Sequence, residues 1–355
     1  MQPALPDIFH VTLGLVQVTP HSEADWAVDL SQYLQDEDPD SYAVSPVGDR
    51  DQIQTPHART RPAPSLPAPP HPSPLLPLPR LRWRWSSCVP VEPRAPTQRV
   101  AAQQLLDELL DAYGKRALPP LLQAVQARLA EARTARAAHA AHWWRLQEAA
   151  TVGLSIGACE LVEASRAAQR KGGPLLFSPT QAFTGVLLPD SGSEMPPLLR
   201  ARALCTAARF AAELPSDALQ QMLHALLAAL DGSQAHVLRL AACRSLVTLG
   251  EVVSEATLAP AVVPLLPPLV ALLHLPSEDA TLLTLHAIGT LLRCNGAAAA
   301  EAEPWLSPIL LQVRLRVTAT ARVRVTITAG IWGVTLAHAA AGADWEGPEG
   351  VSHPT

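Results

Sequence analysis

Four acidic residues, Asp36, Glu37, Asp38 and Asp40, fall within the stretch YLQDEDPDSY (33–42). Carboxylates at this spacing could hold a cation, share a proton in acid/base catalysis, or attract a basic partner. An EF-hand loop places oxygen ligands at alternate positions, with a glycine at the sharp turn and a closing glutamate. The run lacks that frame. A catalytic carboxyl pair needs an apolar wall that keeps one member protonated, and none is in view in the sequence. Two readings remain, a solvated linker and an anionic patch for a basic partner. Composition alone favours the linker, because runs of like charge are ordinarily solvated.

Other residue patterns carry chemistry on paper. GLSIG (153–157) matches the G-x-S-x-G elbow, which presents a serine nucleophile on a strained turn between a strand and a helix. The residues before Ser155, HWWRLQEAATV, have a helical pattern and no strand character. A motif without its context is weak, so Ser155 reads as a small residue that lets helices approach, and a serine hydrolase is a remote alternative. His139 and His142 in HAAH share a helix face and could take a metal. No acidic or cysteine ligand lies nearby in sequence, so a polar helix start ahead of the Trp143–Trp144 pair is the simpler role. The five cysteines (Cys88, Cys159, Cys205, Cys243, Cys294) form no CxxC pair, which supports neither a zinc ribbon nor a thioredoxin-type site. Cys159, Cys205 and Cys243 sit in apolar helical patterns and are expected as reduced core thiols of an intracellular protein. No nucleophile, base and oxyanion set stands at a credible spacing. The expectation is a non-enzymatic protein with no metal and no cofactor.

The elements that must position these residues follow from composition. The chain has 355 residues, 48% hydrophobic but only 4% aromatic, enough for about two domains or one elongated array. Its core must come from Leu, Ala and Val, and Ala and Leu are strong helix formers. The fold class expected is all-α. A net charge of −5 excludes a globally basic nucleic-acid binder. The N-terminus has no charged segment followed by a long apolar run, so no signal peptide is expected. The most apolar window, LAPAVVPLLPPLVALLHL (258–275), has the length of a membrane span. Pro260, Pro264, Pro267, Pro268 and His274 within it favour a buried helix with a proline-rich first half, and a soluble protein.

Four regions differ in texture. Residues 1–42 hold an apolar stretch and the acidic run. Residues 43–97 are dense in proline and expected to be a disordered insertion, with PxxP spacings that an SH3-type domain could bind. Residues 98–313 read as a series of helices. The first, TQRVAAQQLLDELLDAYG, should be capped by Thr97 and Gly114. A second runs through LPPLLQAVQARLAEARTARAA, and a third through HWWRLQEAATVGLSIGACELVEAS, before a break at KGGP (171–174). Helical hairpins then recur, with Leu198, Val237 and Leu282 as register marks 39 and 45 residues apart. That period is the signature of HEAT or armadillo repeats, which bury their apolar faces by stacking. The expected architecture is an α-solenoid of HEAT-type helical hairpins. Residues 314–355 are off-pattern; RLRVTATARVRVTITAGIWGVTL alternates with a strand-like period of two.

Several motifs in order carry a family resemblance. DIFHVTLGLVQVTPHSEADWAVDLSQYLQDEDPDSY (7–42), RVAAQQLLDEL (99–109), the His-Trp-Trp triplet with the Gln-Glu-Ala that follows, and LLRARALCTAARFAAELPSDALQQMLHALLAAL with VLRLAACRSL together resemble nuclear transport receptors of the importin-β superfamily. The resemblance implies HEAT repeats and Ran GTPase binding. It also implies basic cargo such as core histone dimers or ribosomal proteins, weak contacts with FG-repeat nucleoporins, and residence in cytoplasm and nucleus. Direct nucleic-acid binding and membrane insertion are not implied. It raises the acidic run, Asp36, Glu37, Asp38 and Asp40, to a candidate cargo or Ran contact, level with the linker reading. The family's N-terminal repeats, which carry its main Ran contact, and its C-terminal half have no counterpart here. The family also passes from the acidic run to the RVAAQQLL segment within a few residues. Residues about 43–97 and 314–355 are therefore expected to reflect an altered splice form or a faulty gene model.

Overall fold

The computed structural model describes residues 5–37 and 97–294, and within them the chain is all-helical with no strand. Helix α1 (Leu5–Val16) buries Leu5, Phe9, Leu13 and Val16, the i, i+4 face of an almost wholly apolar segment. Two short helices follow. Thr19 caps α2 (Pro20–Val28) by accepting from the Ser22 N–H, with Pro20 at the first helical position, where its missing donor costs nothing. Asp29 caps α3 (Leu30–Asp36), accepting from Ser31 and Gln32.

The chain resumes at Thr97, whose hydroxyl caps α4 (Gln98–Tyr113); Gly114, at φ +53°, ends it, so both expected caps are in place. Helix α5 (Leu118–Ala137) ends where His139 takes a φ of +53°. The single helix expected from His142 onward is broken at Gly157 into α6 (Trp143–Ile156) and α7 (Ala158–Lys171). The break turns Cys159 outward; it is exposed rather than a core thiol, whereas Cys243 is fully buried. Gly172, left-handed at φ +63°, closes α7 within the expected KGGP break. After α8 (Pro179–Ala182), a π turn and α9 (Leu188–Asp190) come α10 (Pro197–Phe210), α11 (Ser216–Ala229), α12 (His236–Val252), α13 (Glu255–Leu272) and α14 (Glu278–Cys294).

Helices α6, α10, α12 and α14 pack side by side in one row, and α11 and α13 pack behind it. Helix α1 joins α4, α5, α6 and the start of α7 in a second apolar cluster built on Phe9, Leu13, Leu106, Leu118, Leu121 and Leu161. The starts of α10, α12 and α14, at Pro197, His236 and Glu278, lie 39 and 42 residues apart. Leu198 and Val237 both stand at the second helical position, whereas Leu282 lies a turn into α14, so the third register mark was one turn late.

Helix α13 is long and apolar enough to cross a membrane by length and composition. It packs on α11, α12 and α14, burying Leu258, Val262, Leu265, Leu266, Leu269 and Leu272. Four prolines lie inside it, each removing an N–H donor from the helix. Pro260, Pro264 and Pro267 share the exposed side, where water can satisfy the carbonyls left without a helical partner. Most of the proline-rich block, the expected helix at 304–313 and the off-pattern tail at 314–355 lie outside the described residues.

Candidate functional site

Helices α2 and α3 form a strap across the N-terminal ends of the row. Val18, Trp26, Tyr33 and Leu34 bury against Trp144 of α6, Leu199 of α10, Leu240 of α12 and Ala280 of α14. Each end of the row thus meets the same short stretch of chain. Polar bonds fix it further. Glu23 pairs with Arg145 at 2.7 Å, the Leu34 carbonyl accepts from Arg244 at 3.1 Å, and Ser31 meets Ser277 at 3.1 Å.

The acidic run begins at the end of this strap, and its first two members point inward. The Asp36 side chain is only 4% exposed; it accepts from the Trp26 indole and from Gln32, both at 2.8 Å. Glu37 is 7% exposed at its side chain and lies between two arginines. It accepts from Arg99 at 3.1 Å and pairs with Arg202. Glu148 of α6 completes the cluster, bonded to Arg99 at 2.5 Å and to Arg202 at 3.2 Å. Two carboxylates and two guanidiniums alternate, so the buried charge sums to zero. That neutrality is what lets four ions leave water together. Arg99 also donates to the Val16 carbonyl and lies 5.5 Å from the Trp26 ring centroid.

Burial acts on adjacent Asp36 and Glu37 with different outcomes. Desolvation raises the Asp36 pKa, and the hydrogen bonds from Trp26 and Gln32 only partly oppose it. Desolvation would also raise Glu37, but the positive charges of Arg202 and Arg99 outweigh it and hold the carboxyl below its ordinary range. Arg99 is pushed further up: burial alone would lower it, and Glu148 and Glu37 override that effect. Asp36 and Glu37 are therefore internal ties of the strap rather than a solvated linker or a displayed patch. Asp36 finds its donors within the strap itself, in Trp26 and Gln32, whereas Glu37 finds its cations on distant segments, in Arg99 and Arg202. Asp38 and Asp40 lie outside the described residues.

The other candidates resolve locally. Ser155 lies in the last turn of α6, is 4% exposed, and accepts from Arg209 through its carbonyl at 3.0 Å. Its flanking glycines are packing positions. A Cβ on Gly153 would stand 2.8 Å from Leu13, and one on Gly157 2.7 Å from Leu121. His139 closes α5 and His142 precedes α6, both exposed. No group of three or more His, Cys, Asp or Glu among the described residues has the makeup of a metal site. A cleft of about 360 Å³ opens beside the strap, lined by Glu23, Trp26, Leu30, Trp144, Pro197 and Val237.

Arg99, Glu148 and Arg202 had no signal of their own in the sequence. Each is a charge within an apolar helical run, which hints at a buried partner. The partner is separated by 49 to 165 residues along the chain, and nothing local identifies it. No protein-family model matches the chain.

Proposed function

We propose that the described helices are part of a HEAT-type α-solenoid, and that the chain is a non-enzymatic, importin-9-like nuclear import receptor. One observation supports the repeat most directly. In α10, Arg200 Nε donates to the Ser191 carbonyl at 3.3 Å; in α12, Arg239 Nε donates to the Leu230 carbonyl at 3.3 Å. The same bond, spanning nine residues each time, recurs 39 residues on. Arg200 also reaches Gln234 in the following turn at 2.8 Å, which ties one unit to the next as stacked repeats require. The side-by-side row of α6, α10, α12 and α14 supports the same reading.

The transport function rests on the sequence resemblance. On this reading the receptor takes basic cargo such as core histone dimers or ribosomal proteins. It releases the cargo to Ran in its GTP form, passes FG-repeat nucleoporins, and works between cytoplasm and nucleus. Of the acidic run, Asp38 and Asp40 are the cargo or Ran contact, while Asp36 and Glu37 anchor them. A generic helical-repeat scaffold without transport is the second reading, favoured by the same recurring turn.

The test is fluorescence anisotropy of a labelled core histone dimer titrated with the chain at low and high salt. A parallel titration uses a variant with Asp38→Asn and Asp40→Asn. Salt-sensitive binding that weakens in the variant and is reversed by Ran-GTP supports the receptor. Binding that Ran-GTP leaves unchanged assigns the scaffold, and no binding at all removes both basic cargo and the acidic contact.

A further inference from the structure

Glu37 is the last described residue before the stretch 38–96, and Arg99 stands two residues after Thr97, the first beyond it. Their side chains meet at 3.1 Å, with only 7% and 4% exposed. The two described ends that flank residues 38–96 therefore meet at one point of the helical body. Described helices hold each end in place. Glu37 closes α3 through its N–H to Tyr33, next to the buried Trp26, Tyr33 and Leu34. Thr97 caps α4, which buries Val100, Ala102, Leu106 and Leu110. Arg202 and Glu148, from α10 and α6, complete the closure from the opposite side.

We infer that the Glu37–Arg99 pair is a clasp, and that residues 38–96 are an insertion the helical body carries without needing it for its fold. The position can hold or exchange any segment long enough to span the gap, because both ends are fixed by residues outside it. The inference does not depend on the transport reading; it concerns where the fold is closed. Two side chains in contact hold their backbones within roughly 14 Å, and about five extended residues at ~3.3 Å each cover that distance.

The test is a chain in which residues 41–94 are exchanged for four Gly/Ser residues. Circular dichroism should keep the helical signal of the full chain. The Tm should rise by about 3–7 °C, because closing a short loop costs less entropy than closing a long one. Lost helix or a lowered Tm overturns the inference. A second measurement uses the intact chain, in case the short linker itself is strained. Brief trypsin treatment should cut among Arg59, Arg80, Arg82 and Arg84, and the two large pieces should co-elute on a native sizing column and separate only in denaturant. Pieces that part without denaturant, or a chain that resists cleavage there, overturn it as well.

Discussion

Asp190 is a buried carboxyl with an incomplete set of partners. Gln147 donates to one oxygen at 2.5 Å, and the other oxygen has no hydrogen-bond partner. Burial pushes the pKa up to about 6, against the Gln147 bond and the charge of Arg136. The folded value lies above the ordinary value of ~3.9, so the folded state holds the proton more tightly. Its contribution to stability is fully present below ~4 and is lost as pH rises through about 6. Asp190→Asn should therefore stabilise the chain by about 1–3 kcal/mol near pH 7.5 and change little near pH 4, read from urea unfolding at both pH values. Glu37 has the opposite sign. Its lowered pKa supplies stability above the ordinary carboxylate range, and that stability is lost as pH falls through the folded value. Glu37→Gln leaves Arg202 and Arg99 short of a counter-charge and should cost roughly 3–5 kcal/mol at neutral pH. Asp36→Asn should cost clearly less, because burial already disfavours that charge. Equal losses in the two variants would show that the arginines are not what hold Glu37.

Helix contacts in this chain depend on small residues as much as on large ones. Gly250 of α12 faces Thr290 of α14, and a Cβ there would run into the Thr290 methyl. Thr290 is buried and β-branched, so it has little room to turn aside. Gly250→Ala should cost about 1–3 kcal/mol, and Thr290→Ser, which removes that methyl, should recover most of the loss in the double variant. Chemical unfolding of the four chains in the cycle checks the coupling. Helix α13 gives a second case. Pro264 lies on the exposed side, mid-helix, so Pro264→Ala restores a backbone donor and should raise the Tm; a drop would mean the ring is packed rather than solvated. Helix caps such as Thr97 and Gly114 were readable in advance, because a cap is a local agreement of residue type and backbone geometry. The break at Gly157 was not. The apolar pattern runs straight through it, and the approach of Leu121 shows only why no side chain fits at that position.

Across the whole molecule, the strap decides how the row is held. Trp26 is 1% exposed, meets Tyr33 edge-on at 5.5 Å, and donates to Asp36. Trp26→Ala should cost about 3–5 kcal/mol. The loss should appear in hydrogen exchange first at the N-terminal turns of α6, α10, α12 and α14, since all four pack on the strap. Protection lost only within α2 and α3 would show that the strap covers the row without bracing it.

The sequence by itself determined that the described chain is helical and where some helices are capped, as at Thr97 and Gly114. These are local quantities, set by propensity, caps and hydrophobic period. It could not determine what the acidic run does. By composition Asp36 and Glu37 belong to a solvated run. In the fold they are buried because Trp26, Arg99 and Arg202 converge on them, the last from 165 residues away. A charge is placed by the balance between its desolvation and the partners that meet it, and the partners become neighbours only when the helices pack.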